Sequence, residues 1–326
     1  MAIPKRPIRF GVQPGLRGVP WSAYLEIWRR LDSMGFDTSW VSDHLLAVSR
    51  ADTSTGVFDG WSLQAGLAAI TSRIRIGCLV TGNTYRHPAV LAKIATTVDH
   101  ISGGRLDFGI GAGWSREDHD PYAIPFYTFS ERAQRLDEAL EVITRLWTQE
   151  KSNFQGKHYQ LVDAAAEPKP LQKPRPPIMV GGAGDRTLKT VARYADQWNV
   201  VGSPKALQPK IAILDRDCKA IGRDPNEIER SVLISAIFAD PARREGILQR
   251  RRESYSPARG QHAGQYVKMS DDEATNAILL GSAQQIQEQI RRFIDIGVTH
   301  FILTVPYPVN YQNLERFSKE VAAAFR

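Results

Sequence analysis

The chain has 326 residues, 42% of them hydrophobic and 24% charged, with a formal net charge of +7. That is the composition of an ordinary soluble globular protein able to bury a large core, and the length suggests about two domains, a prior that barrel folds routinely exceed as one unit. Two cysteines, Cys78 and Cys218, give neither a disulfide framework nor metal-ligand spacing, and point to reduced thiols in a cytoplasmic protein.

The opening MAIPKRPIRFGV is basic but lacks the apolar stretch of a secretory signal. No run approaches the ~20 apolar residues of a membrane span, so no membrane partner is expected. Arg243-Arg244 and Arg250-Arg251-Arg252 concentrate part of the positive charge. A solvated helix face accounts for them; a surface attracting an anionic ligand is the sharper reading. Without zinc-finger spacing, aromatic–basic interleaving or a recognition helix, nucleic acid is not expected either.

Residues 8–12 form a first strand, ending in Gln13-Pro14-Gly15. Residues 21–34 are helical, with Leu25, Trp28 and Leu31 on one face, and Gly35 ends the helix. Residues 38–42 are a second strand, followed at once by Asp43-His44. Residues 61–70 are apolar and alanine-rich, a buried helix by composition, and 74–81 are a third strand. Pro88 suits a first helical turn. Val90, Leu91, Ile94, Val98 and Ile101 then recur at three- and four-residue intervals, which predicts one apolar helix face. Ser102-Gly103-Gly104 ends this helix, and residues 106–110 are a fourth strand that leaves through Gly111-Ala112-Gly113. Strands joined by a helix are parallel, so the loops after them lie on one edge of the sheet.

A loop over 114–126 carries Trp114, Tyr122 and Phe126. The fourth helix has Leu136, Leu140, Ile143 and Trp147 four, three and four apart, and Glu141 can pair with Arg145. Residues 148–176 lack helical periodicity and hold Pro168, Pro170, Pro174 and Pro176, an extended excursion with a small hairpin around 154–161. Strand five, 177–180, opens into Gly181-Gly182-Ala183-Gly184. Asp185 can cap the next helix, whose apolar face is Leu188, Val191, Ala192 and Ala195. Strand six is 197–201. Ser203-Pro204 starts helix six. Strand seven is 231–238, and 240–280 reads as an irregular, arginine-rich insertion. Ser282 with Gln285 makes a capping box. Residues 301–305 are strand eight, a continuous apolar run of the kind a parallel sheet buries on both faces, and 311–325 are the last helix.

Eight strands alternating with eight helices predict an α/β protein: a single-domain (β/α)8 TIM barrel over residues 1–326, with insertions after strand four and strand seven at about 148–176 and 240–280. Active sites of such barrels form at the carboxyl ends of the strands. Those ends hold Gln13, Asp43, His44, the loop after Thr81, residues 111–114, residues 181–184 and residues 201–203.

Residues 181–184 lead into a helix N-terminus, whose unpaired N–H groups suit a phosphate; a plain tight turn is the alternative. No Gly-Lys-Ser/Thr follows, so this is not a nucleotide P-loop, and Gly109-x-Gly111-x-Gly113 does not match the dinucleotide fingerprint spacing. His44 is a natural proton carrier near neutral pH, or else a structural histidine. Asp43 can orient His44 or bond directly to a ligand. Asp118-His119-Asp120 superficially suggests a metal site, but it lacks a second cluster and reads as a solvated loop, so no metal is expected. Trp114, Tyr122 and Phe126 either stack on a flat ligand or form the loop's own small core.

GFDTSWVSDH at 35–44, TYRHPAVLAK at 84–93, DHISGGRLDFGIGAGW at 99–114, LQKPRPPIMVGGAGDRTL at 171–188 and ARYADQWN at 192–199 carry a resemblance across nearly the whole chain. The chain resembles the bacterial-luciferase-like superfamily of flavin and deazaflavin enzymes, and within it most nearly the coenzyme F420-dependent oxidoreductase branch. The resemblance implies a TIM-type barrel with the cofactor ring at its carboxyl-end mouth. It places Asp43 and His44 facing that ring, with His44 moving the substrate-side proton and Asp43 holding it. Leu79-Val80 is implied to be a cis peptide behind the ring. Thr81, Ala112, Gly113, Gly181, Gly182, Ala183 and Gly184 are implied to line the cofactor and its phosphate. Gln13 and Trp114 are expected at the substrate, and the positive surface would suit the cofactor's polyglutamate tail.

Trp114 stands where the sugar-phosphate dehydrogenases of the family carry a catalytic glutamate, which argues against that activity. Ala112 stands where luciferase has a phosphate-binding arginine, which argues against a luciferase-like flavin arrangement. The expected function is hydride transfer between coenzyme F420 and a small organic molecule, by a homodimer. FMN-dependent monooxygenation is the alternative, and a non-catalytic cofactor-binding protein on the same barrel is a third.

Overall fold

Along a strand, successive side chains face opposite sides. Arg9, Gly11 and Gln13 therefore share one face, and Phe10 and Val12 the other. In the computed structural model, which describes residues 6–15, 17–46, 56–254 and 275–326, the first set points into a barrel and the second into the shell of helices around it. The first half of the chain contains β1 (Arg9–Pro14), α1 (Trp21–Ser33), β2 (Thr38–Val41), α2 (Gly60–Ala69), β3 (Arg75–Cys78), β4 (Thr81–Gly82), α3 (Pro88–Ser102), β5 (Phe108–Gly111) and α4 (Phe129–Thr148). A hairpin of β6 (Lys151–Gln155) and β7 (Gln160–Ala165) comes next. β8 (Ile178–Gly181), α5 (Asp185–Tyr194), β9 (Gln197–Val200), α6 (Pro204–Ala220), β10 (Glu229–Phe238) and α7 (Pro241–Ser254) follow. β11 (Ile278–Gly281), α8 (Ala283–Ile294), β12 (Val298–Val305) and α9 (Tyr311–Arg316) complete the described elements.

The main sheet runs in the order β3-β2-β1-β12-β10-β9-β8-β5-β4, and its pairs are parallel. Its two ends, β3 and β4, are separated in the chain only by Leu79 and Val80, and Ile76 bridges Leu106 across the gap. With β3–β4 taken as one interrupted strand, the ring has the eight strands of a TIM barrel. The peptide between Leu79 and Val80 is cis, as the resemblance implied.

Inside the barrel, Trp40, Leu79, Met179 and Ile302 pack together with Val80 and Leu233. Trp40 fits because its neighbour on β3 is Gly77, where a Cβ would collide with the indole. Outside, Phe10 packs on Phe301 and Phe317, and Trp147 of α4 lies edge-on to Phe108. Leu136, Leu140, Ile143 and Trp147 are all buried, as the spacing predicted, and Arg145 pairs with Glu141 at 2.7 Å. Ser203 caps α6, and Ser282 with Gln285 forms the capping box of α8.

Several expectations are corrected. The inward face of α3 is Leu91, Ala92, Ala95 and Val98; Val90 and Ile101 are exposed, because the small alanines let the helix turn that side onto its neighbours. On α1, Tyr24 and Ile27 join Trp28 and Leu31 in the core, with Leu25 only half-buried. Asp185 does not cap α5. Gly184 holds the cap position without a side-chain bond, and Asp185 pairs with Lys210. The 240–280 region is not irregular where it is described. It begins with helix α7 and ends with β11, which pairs in parallel with residues 235–238 of β10; residues 255–274 lie outside the described residues. Its arginines are largely committed: Arg244 donates to the Leu280 carbonyl, Arg251 to that of Ala277, and Arg252 pairs with Glu245. The last helix is regular only over α9; a wider π-type turn, Phe317–Val321, and a tighter 3₁₀ turn, Ala322–Phe325, finish the chain.

Candidate active site

The carboxyl ends of β1, β2, β4, β5 and β8 converge on the mouth of the barrel. The glycines at two of these ends have a steric reason. A Cβ on Gly111 would stand 3.0 Å from Val80 Cγ2, and one on Gly181 would meet the same methyl at 3.0 Å. The Val80 side chain thus leans across the ends of β5 and β8, over two positions where any side chain would press on it. Gly113 has φ +79° and abuts Thr84, and Gly182 has φ +124°, backbone that favours glycine. Ala112 and Ala183 are partly buried against the core. The Gly182 carbonyl accepts a 2.7 Å bond from Trp198 Nε1, which fixes the loop that leads into α5.

Gln13 is buried at the end of β1. Its Nε2 donates to the Leu79 carbonyl at 3.0 Å and to Ser42 Oγ at 3.1 Å. It therefore ties β1 to the interrupted strand.

Asp43 does not hold His44. Its carboxylate, 1% exposed, receives both Nη atoms of Arg86, at 2.7 and 3.2 Å, and the Thr81 hydroxyl. Arg86 also pairs with Asp59. Thr81 is fully buried, and its oxygen additionally accepts from Trp61 Nε1 at 3.3 Å. Asp43 and Thr81 are thus tied into the wall behind the mouth, and any direct bond from Asp43 to a ligand has to compete with a bidentate arginine.

His44 is held instead by Asp118, with Nδ1 to Oδ2 at 2.7 Å. A carboxylate only accepts, so Nδ1 carries its proton and Nε2 is the ring's second site. Asp118, 1% exposed, also accepts the backbone N–H groups of Leu45 and Leu46, at 2.8 and 3.0 Å, and the Tyr85 hydroxyl at 3.0 Å. Burial works to raise this carboxyl. The hydrogen bond and charge of His44, with the backbone and Ser115 bonds, outweigh burial and hold it well below the ordinary carboxylate range. Burial and the charge of Asp118 push the Tyr85 phenol up.

Asp118-His119-Asp120 is therefore not a solvated loop. Its first two residues are buried, and His119 Nδ1 donates to the Ser115 carbonyl at 2.6 Å while Nε2 meets Thr84 Oγ1 at 2.7 Å. Burial lowers His119 from its ordinary value and keeps it neutral. Phe126 packs edge-on to His119 and under Arg132, as part of the loop's own core; Tyr122 is half exposed. Trp114 stands edge-on to the His44 ring, with centroids 5.7 Å apart. Both cysteines are free and buried. Among the described residues no helix is long and apolar enough to cross a membrane.

Sequence reading missed Asp118 and Arg86 as partners. Arg86 was visible as the one long cation in the polar loop after strand three. Asp118 lies 74 positions from His44, and only the fold brings them together.

A family model described as luciferase-like monooxygenase matches residues 6–300. The F420-dependent glucose-6-phosphate dehydrogenase of Segniliparus rotundus is 27% identical over 98% of both chains. Among solved structures, an F420-dependent secondary alcohol dehydrogenase in complex with an F420-acetone adduct superposes with a TM-score of 0.83 at 21% identity, over 98% of this chain and 99% of that one. The monooxygenase RslO1 of Streptomyces bottropensis superposes with a TM-score of 0.79 at 21% identity, over 98% and 100%. The match across residues 6–300, on a barrel with a histidine–aspartate pair at its mouth, means that the chain belongs to the luciferase-like monooxygenase family and is an oxidoreductase.

Proposed function

We propose that the protein is a coenzyme F420-dependent oxidoreductase that moves a hydride between the deazaflavin and a small organic substrate. The observation that carries this reading is the His44–Asp118 pair at the barrel mouth. Hydride transfer to or from a carbonyl carbon requires a proton to move at the oxygen, and the pair is built for that. The choice of cofactor is supported by the full-length relative whose name specifies F420.

The residues present fit such a group. A flat ring needs a wall without protruding Cβ atoms and an apolar surface behind it, and Gly111, Gly181 and Val80 supply these. A phosphate needs unpaired N–H groups. The N-terminus of α5 has no side-chain cap, and residues 181–184 lead into it. Leu79, Val80, Ala112, Gly113 and residues 181–184 would hold the cofactor, with Thr81 and Asp43 supporting them from behind. When bound, coenzyme F420 supplies a carbon that gives or takes a hydride, two electrons at a time.

His44 does the proton work. With Nδ1–H fixed on Asp118, Nε2 takes the hydroxyl proton when an alcohol is oxidised and returns one to the oxygen when a carbonyl is reduced. Asp118 sets the tautomer and ring orientation and offsets the positive charge that forms on the imidazole. Trp114, edge-on to His44, positions the substrate and keeps water from the reacting oxygen.

The test is spectroscopic. Purified protein is titrated with F420 and with FMN, following F420 fluorescence and flavin absorbance. The expected result is submicromolar F420 binding and none for FMN. Protein that retains FMN and consumes oxygen with reduced flavin would establish the FMN-dependent monooxygenase instead.

A further inference from the structure

The barrel mouth has a second half, which starts at Ser42, two residues before His44. A cavity of about 620 Å³ opens between the carboxyl ends of β1, β10 and β12 and the start of α9. This lies within the roughly 300–1,000 Å³ of pockets that hold drug-sized ligands. Its inner corner is Gln13 and Ser42, the pair bonded to each other beside Leu79. In the closed ring, β8 with its glycine loop is four strands from β1 in either direction, so the cavity occupies the wall opposite the glycine side.

Its chemistry is one-sided. Ala236, Ile237, Phe238, Leu303, Val305 and Leu314 give it an apolar lining, and no charged side chain lines it among the described residues. Several of its polar groups are partnered within the wall: Ser235 Oγ with Thr304 Oγ1 at 2.7 Å, Gln13 with Ser42 and the Leu79 carbonyl, and Asn310 Oδ1 with the N–H of Asn313. A phosphate or carboxylate placed here loses hydration and meets no charged side chain in the described lining, and Arg316, stacked on the Phe238 ring, is already paired with Glu320, so the placement is unfavourable. An uncharged, largely apolar molecule loses nothing of that kind.

We infer that this cavity is the substrate compartment and that it takes uncharged, predominantly apolar carbonyl compounds or the corresponding alcohols, and not phosphorylated or carboxylated ones. The inference rests on the hydride-transfer reading of the site, for which this cavity holds the second reactant.

The experiment uses the full-length protein and a matched pair of probes, 4-tert-butylcyclohexanone and 4-oxocyclohexanecarboxylate. Binding of each is measured by calorimetry and by ligand-detected NMR, with F420 binding followed separately by fluorescence. The neutral ketone is expected to bind at least tenfold more tightly than the carboxylate. Ala236→Asp, which puts a carboxylate in the wall, is expected to weaken the ketone at least tenfold while F420 affinity stays within twofold, which also shows that the variant is folded. Ala236→Leu, which fills the space without a charge, is expected to weaken the ketone as well. Equal binding of the two probes, or ketone affinity unchanged in both variants, overturns the inference. Failure of F420 to bind the wild-type protein sinks the cofactor assignment alone, since the probe pair and the two variants still decide what the cavity holds.

Discussion

The two ends of this barrel use the same inward-facing positions for opposite purposes. At the amino end, Arg9, Arg75, Asp107 and Glu229 face one another. Arg75 pairs with Asp107 at 2.6 Å, and Arg9 bridges Asp107 at 3.2 Å and Glu229 at 2.8 Å. His300 lies 3.4 Å from Glu229 and bonds to Thr38, which in turn accepts from Trp40. Against the cost of burial, the guanidinium charges of Arg75 and Arg9 hold the Asp107 carboxyl below its ordinary value. At the carboxyl end, the corresponding places carry Gly111, Gly181, Gln13 and the cis Leu79–Val80 peptide, and the half-buried His44 sits on a buried aspartate. Charges that are mutually satisfied close an interior. Glycines make room for the Val80 side chain, and a partly committed histidine keeps one ring nitrogen outside its bond to Asp118. The difference separates what holds the ring together from what we propose acts on a ligand.

Substitutions at the two ends should therefore have separable consequences. The largest is at His44. His44→Ala should lower turnover of a found substrate by roughly 10²–10⁴-fold, the usual contribution of a positioned proton carrier. Asp118→Asn should reduce the rate less and alter the pH–rate profile. Unaffected turnover in His44→Ala would make this histidine structural.

At the opposite end, Asp107→Ala removes the fully buried carboxylate that the half-buried Arg9 and Arg75 share. It should cost about 3–5 kcal/mol of stability, read from urea unfolding, with F420 affinity within twofold of wild type. A large loss of F420 affinity without a loss of stability would contradict the division between the two ends.

Gly111→Ala places a methyl 3.0 Å from Val80 Cγ2. Overpacking of this kind costs about 1–3 kcal/mol, and here it should appear mainly as weakened F420 binding. Val80→Ala in the same chain should recover part of the loss. Additive losses in the double variant would show that the two residues do not share the space.

The mildest test is acidification. The unfolded values of Asp107 and Asp118 are 3.8 and that of Glu229 is 4.5, and all three are lowered in the fold. The unfolded chain therefore binds more protons as the pH falls, so their stabilisation is complete above about pH 5 and is lost as the pH falls further. His300, buried and kept neutral by burial and by the charge of Arg9, also has its value lowered from 6.5. It begins to contribute the same kind of loss near its unfolded value. Melting temperatures from pH 7 to 3 should fall, with a smaller fall in Asp118→Asn.

Much of the fold could be read from local pattern. The amphipathic spacing of α4, the capping box at Ser282, the proline start at Ser203-Pro204 and the run of β12 each have causes within a few residues. Helix α7 escaped notice because it has so few apolar positions: Leu248 is buried with Ile278 and Leu280, and Arg244 and Arg251 tie it to backbone carbonyls 36 and 26 positions away. The spacing puts Val90 and Ile101 on the apolar face of α3, and the fold exposes them because neighbouring alanines permit closer packing on the adjacent face.

By itself, then, the sequence determined the alternation of strands and helices, the parallel sheet this forces, and the strand-end positions of Gln13, Asp43, His44, Trp114 and residues 181–184. These follow from periodicity, turn residues and chain connectivity, which act over short distances. Only the tertiary structure decided that Asp43 belongs to Arg86 and Thr81, that His44 belongs to Asp118, and that the wall across from the glycine loop is uncharged among the described residues. A buried carboxylate binds whichever donor the packing brings near it, and for His44 that choice was made across 74 residues of chain by the closing of the barrel.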